Sequence, residues 1–231
     1  MKRILLKLSG EALAGKGEHG INEEKLKYLV NEVIKVKREN KFVIGIVIGG
    51  GNFVRGSQLP FIKRMDADYM GMMSTVVNGL ALKSAFELEG IESTLFSGLN
   101  VLGLTSEIST RLIEKAIKNG HFLIFTGGTG NPFFTTDTAA VLRGLQMKAE
   151  LIIKATKVNG VYDKDPEKYS DATRYSTISY SEALAKDLRI MDATAIALAR
   201  EEKIPIKVIN FFEPDTLVRT LNGEDLGTLV V

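Results

Sequence analysis

The chain has 231 residues, 45% of them hydrophobic and 25% charged, which suits one large domain or two small ones with a sizeable core and is too apolar for disorder. Its 30 Lys and Arg against 28 Asp and Glu leave a formal charge of +2, no argument for nucleic acid or another polyanion as partner. It has no cysteine, so disulfides, thiolate metal sites and a Cys nucleophile are excluded.

The opening "MKRILLKLSGEAL" has too short an apolar run for a signal peptide, and the longest run, "FVIGIVIGGG", falls far short of a membrane span. A soluble, cytoplasmic protein is expected. "RILLKLSG" reads as a buried strand ending at Gly10. From Asn22 to Asn40, Leu26, Leu29, Val30, Val33 and Ile34 share one helical face, with Asn22 as N-cap. "FVIGIVIGGGN" is a second apolar strand, Asp68 to Glu89 a long helix, and "ESTLFSG" a third strand. Ser109 to Asn119 is a helix closed by Gly120, and "HFLIFTGGTG" is another strand. Thr136 to Ala149 returns to helix, and "ELIIKATKVNGVY" to strand with an Asn-Gly turn signal. Ser179 and Glu182 form a capping box, Asp192 to Lys203 is helical, "PIKVINF" is strand, and Glu213 to Leu221 is helix. There is no internal repeat or linker. Uninterrupted apolar strands alternating with amphipathic helices predict a single α/β domain over 1–231: a three-layer α/β/α sandwich with a mostly parallel central sheet.

In such sheets ligands bind outside the carboxyl ends of the strands. "LSG" (Leu8, Ser9, Gly10), "GGGN" (Gly49 to Asn52) and "GGTGN" (Gly127 to Asn131) each follow an apolar strand, so all three are expected at one edge. Glycines there let backbone N–H groups approach an anion; alternatively each cluster is only a tight turn. The third cluster opens "TGGTGNPFFTTDTAAVLRG", which lacks the lysine of a P-loop.

"LLKLSGEAL", "VIGGGNFVRG", "DYMGMMSTVVNGLAL", "TGGTGNPFFTTD" and "KATKVNGVYDKDP", in this order, resemble the bacterial uridylate kinases of the amino acid kinase family. The resemblance runs from Lys2 to the final "GTLVV", and "GTGNPFFTTD" is specific to this branch. It implies ATP-dependent phosphorylation of UMP to UDP in pyrimidine nucleotide biosynthesis, by a homohexamer using Mg²⁺ carried with ATP rather than on protein ligands. It further implies GTP activation and UTP inhibition. By resemblance the UMP site falls mainly within 49–140: Gly50, Asp68, Thr129, Gly130, Asn131, Pro132, Phe133, Phe134, Thr135 and Thr136. The ATP site falls mainly at 7–10 and 150–215, with Lys7, Leu8, Ser9, Gly10, Thr156, Tyr162 and Asp165, joined by Gly51 and Arg55.

Lys7, Arg55 and Asp137 are the catalytic candidates. Lys7 reads either as a solvated strand-end lysine or as the cation that meets the transferring phosphoryl group in place of a P-loop lysine. Arg55 is a surface arginine or a bidentate grip on a phosphate of UMP, ATP or both. Asp68 is a helix cap or first-turn acid, or the acceptor of the UMP ribose hydroxyls. Asp137 is a cap, or the acid that orients Lys7 or a magnesium-bound water. Lys154 is a weaker second cation, Asp192 reads as a cap, and His19 and His121 receive no metal or base role. By resemblance the GTP site takes in Gly15, Lys16, Gly17, Glu18, His19 and Gly20, with His19 where the family often has Phe; alternatively the segment is only a mobile polar loop between strand and helix. The competing functions are a family kinase acting on a carboxylate or carbamate, and a non-catalytic nucleotide-binding storage protein.

Overall fold

The computed structural model describes residues 1–14, 19–39, 41–56, 59–166, 168–188 and 190–231. Its first half runs β1 (Lys2–Leu8), α1 (Glu11–Ala14), α2 (Glu23–Arg38), β2 (Phe42–Ile48), α3 (Arg64–Leu88), β3 (Ser93–Ser97), β4 (Ser106–Glu107), α4 (Thr110–Lys118) and β5 (Phe122–Thr126). The second half continues with α5 (Thr136–Gln146), β6 (Leu151–Thr156), β7 (Val161–Tyr162), β8 (Arg174–Tyr175), β9 (Thr177–Ile178) and α6 (Tyr180–Ala185). It closes with α7 (Ala193–Glu201), β10 (Ile206–Asn210), α8 (Thr216–Leu221) and β11 (Thr228–Val230).

Nine strands form one sheet in the order β4-β3-β5-β2-β1-β6-β10-β11-β9. Every neighbouring pair is parallel except β10 and β11. Parallel neighbours need crossover connections, which bring helices onto both faces and explain the strands' continuous apolar sequences. Alternation along β1 shows the layering. Ile4, Leu6 and Leu8 join the core beneath α1, α2, α3 and α8, whereas Leu5 joins the core beneath α4, α5, α6 and α7. Arg3 and Lys7 share the Leu5 face, so their charges meet Glu114 of α4 and Asp137 of α5. Each fully buried Leu or Ile in these layers contributes about 1.5–3 kcal/mol relative to exposure. The result is the α/β/α sandwich expected from the sequence.

The start signals fold as read. Asn22 Oδ1 accepts from Lys25 N at 3.1 Å and Ser179 Oγ from Glu182 N at 3.1 Å. The Glu182 carboxylate turns to Lys186 instead (2.5 Å), leaving its capping box half made. Several boundaries differ, and α8, expected from Glu213, starts at Thr216. α3 begins at Arg64, a full turn before Asp68, and α5 stops at Gln146, followed by left-handed Lys148 (φ 57°). The Asn159-Gly160 turn closes no hairpin with β6: β7 pairs with β8, outside the main sheet. The short strands β4, β8, β9 and β11 carry too few residues for a periodicity to register.

Candidate active site

The three glycine clusters follow β1, β2 and β5, which lie together in the sheet, and they gather at its carboxyl edge. Gly49 N donates to Leu8 O at 2.9 Å. A Cβ on Gly10 would stand 2.8 Å from Gly49 O and 2.9 Å from Gly51 N, so residue 10 must be glycine for the first two turns to touch. Helix α3 braces the clusters from below. Asn78 Nδ2 donates to Gly49 O (2.8 Å) and to Asn52 Oδ1 (2.7 Å), and Asn52 Nδ2 returns a bond to Asn78 Oδ1 (2.9 Å). One turn earlier, Thr75 Oγ1 accepts from Gly127 N at 2.7 Å. Both side chains are buried, and the sequence had flagged neither. The polar residues Thr75 and Asn78, one helical turn apart on the buried face of α3, were the available signal.

The electrostatic centre is Asp137. Lys7 and Lys154 are partners in the parallel register of β1 and β6 and project to the same face. Their ammonium groups meet the Asp137 carboxylate from two sides, Lys7 Nζ 2.6 Å from Oδ1 and Lys154 Nζ 3.1 Å from Oδ2. The three side chains are 12%, 15% and 15% exposed for Lys7, Lys154 and Asp137. Burial pushes the Asp137 carboxyl up, but the two ammonium groups outweigh it and hold it below the ordinary carboxylate value. Burial pushes the Lys154 ammonium down, the Asp137 charge opposes that, and the Lys7 charge adds to it. Lys154 also donates to Ile190 O. Asp137 does not cap α5. Thr135 does, its Oγ1 accepting from Asp137 N at 3.0 Å, so the Asp137 side chain is left to the lysines. Asp192 is the α7 cap expected, accepting from Ala195 N at 3.0 Å, and it also accepts from Thr135 and from Thr138 Oγ1 (3.1 Å). It thereby locks the start of α5 to α7.

The loop 127–136 turns back over α3. Gly127, Gly128, Gly130 and Phe133 all have positive φ, Phe133 at 71°. The non-glycine outlier is held by Asp68, whose Oδ2 accepts from Phe133 N at 2.8 Å while Arg64 Nε donates to the same carboxylate at 3.0 Å. Asp68 is therefore neither a cap nor a first-turn acid of the helix start. Thr129 Oγ1 accepts from Asn131 N at 3.2 Å, shaping the stretch before Pro132, Phe133 and Phe134. Gly50 packs against α3 at Gly71, Ser74 and Thr75. Arg55, after Gly51, pairs with Glu11 of α1, and Lys157 Nζ lies 3.2 Å from the same carboxylate. Glu11 and Lys157 are further residues the sequence had not singled out.

Thr156, Tyr162 and Asp165 line one cavity of about 640 Å³ with Lys154, and a second cavity of about 390 Å³ connects Lys154 to Asp137 and Asp192. Thr156 Oγ1 is committed to Val158 O (2.8 Å) and Ile209 O (3.0 Å), so it shapes this cavity's wall. Gly15, Lys16, Gly17 and Glu18 lie outside the described residues; His19 is exposed, and Gly20 is fixed by Asn52 Nδ2 (2.7 Å to its carbonyl). His121 Nδ1 sits 2.9 Å from Thr94 Oγ1. Among the described residues no three His, Asp or Glu side chains converge as a metal cage, and no helix is long and apolar enough to cross a membrane.

The sequence profile of the amino acid kinase family matches residues 2–210, the span that carries the cradle, the lysine pair and the cavities. The chain belongs to the amino acid kinase family. Uridylate kinase of Thermotoga maritima is 49% identical over 229 residues, covering 99% of each chain. Among solved structures, UMP kinase from Bacillus anthracis superposes with a TM-score of 0.95 at 33% identity, covering 99% of this chain and 95% of its own. UMP kinase from Ureaplasma parvum gives 0.93 at 36%, covering 99% and 98%. This amino acid kinase thus shares its whole length, not one motif, with those enzymes.

Proposed function

We propose that this chain is a UMP kinase, transferring the γ-phosphoryl group of ATP to UMP to give ADP and UDP in pyrimidine nucleotide biosynthesis. The observation that carries the reading is the buried Lys7–Asp137–Lys154 cluster, set between the cavity of Thr156, Tyr162 and Asp165 and the Asp68-braced loop. Phosphoryl transfer depends on positioning and on neutralising charge spread over the phosphoryl oxygens. Lys7 and Lys154 are the cations for that task, and Asp137 keeps two like charges side by side. Leu8, Ser9, Gly10 and Gly51 offer backbone to the ATP phosphates. Arg55 exchanges Glu11 for a phosphate, at little cost because an exposed ion pair contributes about 0–1 kcal/mol. Asp68, with Gly50 and residues 129–136, receives UMP, its carboxylate giving up bonds to Phe133 N and Arg64 Nε for ribose hydroxyls.

Mg²⁺ carried with ATP would help neutralise the phosphate oxygens, and Asp137, held between Lys7 and Lys154, would be the acid placed to orient its water. Self-association to a hexamer has support in α3, where Met65, Tyr69, Met73 and Val77 repeat every four residues as an exposed apolar stripe. Cytoplasmic location, GTP activation and UTP inhibition belong to the same reading. A coupled assay with ATP and UMP, CMP, dTMP or acetylglutamate tests it: ADP release with UMP well above the others is expected, and preference for acetylglutamate refutes it.

A further inference from the structure

A buried arginine outside the lysine cluster has no use in the reaction above. Arg143 of α5 is 4% exposed, and none of the described acids pairs with it. Its Nη2 donates to Gly128 O at 2.8 Å and its Nη1 to Gln146 Oε1 at 2.7 Å, while Nε makes no hydrogen bond. Burial pushes the guanidinium down to about 10. An uncompensated buried charge is costly, and neutral carbonyls repay that cost only in part. The same residue walls a cavity of about 390 Å³ at the carboxyl ends of β3 and β4, with Ser97, Gly98, Asn100, Thr105 and Thr129. We propose that this cavity is an anion subsite for a tetrahedral oxyanion of the phosphate class, with Arg143 as its buried cation.

The chemistry of the wall fits. A guanidinium favours oxyanions, and hydroxyls and an amide supply neutral donors around it. At about 30 Å³ per water, the volume admits a phosphate with part of its hydration shell. Glu107 also lines the cavity and is exposed, and its carboxylate opposes an anion there. The cavity shares Thr129 with the acceptor loop but includes none of Lys7, Arg55, Asp137 or Lys154. Through Gly128 O, Arg143 also holds that loop, which under the UMP kinase reading makes the occupant a brace for the acceptor site.

Calorimetric titration of inorganic phosphate into the full chain, with UMP and ADP present to fill the catalytic cradle, tests this. One saturable site is expected, weakened at least about tenfold (about 1.4 kcal/mol) in Asn100→Asp, which sets a carboxylate in the cavity, and in Arg143→Gln. Asn100 is exposed, so that variant serves even if Arg143→Gln fails to fold. Absence of saturable binding overturns the proposal, as does equal affinity in parent and Asn100→Asp, which marks an adventitious ion only. Phosphate binding that persists in a chain inactive on UMP refutes the kinase reading alone.

Discussion

Replacing Asp137 by Asn keeps the shape of the side chain and removes the charge that holds Lys7 and Lys154 together. Both ammonium groups lie within 2.6–3.1 Å of its oxygens and are at most 15% exposed, so neither is screened like a surface charge. Breaking a buried ion pair by removing one partner costs about 3–5 kcal/mol. The two lysines share one carboxylate, so the losses do not simply add, and the same range is expected for the pair. At about 2–4 °C per kcal/mol for a domain of this size, the melting temperature at neutral pH should fall by about 6–20 °C. The pH dependence has a fixed sign. Lys154 is already depressed by burial, and losing Asp137 depresses it further. Between its folded and unfolded values the unfolded chain binds more protons, so stability rises with pH there. The deficit of Asp137→Asn should therefore narrow on the alkaline side as Lys154 discharges. Thermal unfolding of both proteins from neutral to alkaline pH, with turnover measured alongside, tests this. A mutant that melts with the parent and turns over normally would show that the carboxylate neither holds nor orients the lysines.

Lys7→Met should lower turnover by about 10²–10³ while leaving UMP affinity by calorimetry unchanged, since a cation acting mainly on the transition state moves kcat rather than binding; a loss of tenfold or less in a folded mutant moves the role to Lys154. Asp68→Asn should raise the UMP KM far more than the ATP KM, a carboxylate–hydroxyl bond being worth about 1.5–3 kcal/mol; equal effects would reduce Asp68 to a brace for Phe133. Because Asp137 is held below its ordinary value, its stabilisation is fully present above an unfolded carboxylate pKa of about 3.9 and lost as pH falls through the lower folded value. The gap between parent and Asp137→Asn should thus close only below that point in acid melts. Asp192→Ala removes the α7 cap and frees Thr135 and Thr138, and should cost about 0.5–2 kcal/mol in denaturant unfolding.

The layered sheet was legible because its signals are local. A strand such as Phe42–Ile48, buried on both faces, has no polar residue to hide, and a cap such as Asn22 acts on an amide three residues away. The same locality explains what escaped. Asp68 and Phe133 are 65 positions apart, and Lys157 and Glu11 are 146 apart, so no spacing announces either contact. Thr75 and Asn78 show only as two polar residues one turn apart on an otherwise apolar helical face, which marks them as buried but does not say that glycine turns rest on them. Lys154 is, in the sequence, a lone charge in an apolar strand. Its meaning lies in register, which sets Lys154 beside Lys7 and is not readable from either strand alone.

Under the UMP kinase reading, that register is also what would let this chain manage without a P-loop lysine. Neighbouring strands lie about 4.8 Å apart, so paired residues on one face hold two cations at a fixed, short separation. Such a pair repels itself unless an anion stands between, and the first turn of α5 supplies one in Asp137. In the proposed reaction, a phosphoryl group at the strand ends would bring negative charge of its own, and the lysines would divide their bonds between it and Asp137 without moving the backbone. The strands are fixed by the core and the acid by the Thr135 cap, so reorganisation is confined to two ammonium groups. Preorganisation of this kind is what makes a cation worth more in a dry site than in water. A flexible glycine loop carrying its own lysine is one way to assemble such a site; two adjacent parallel strands and a capped helix are another.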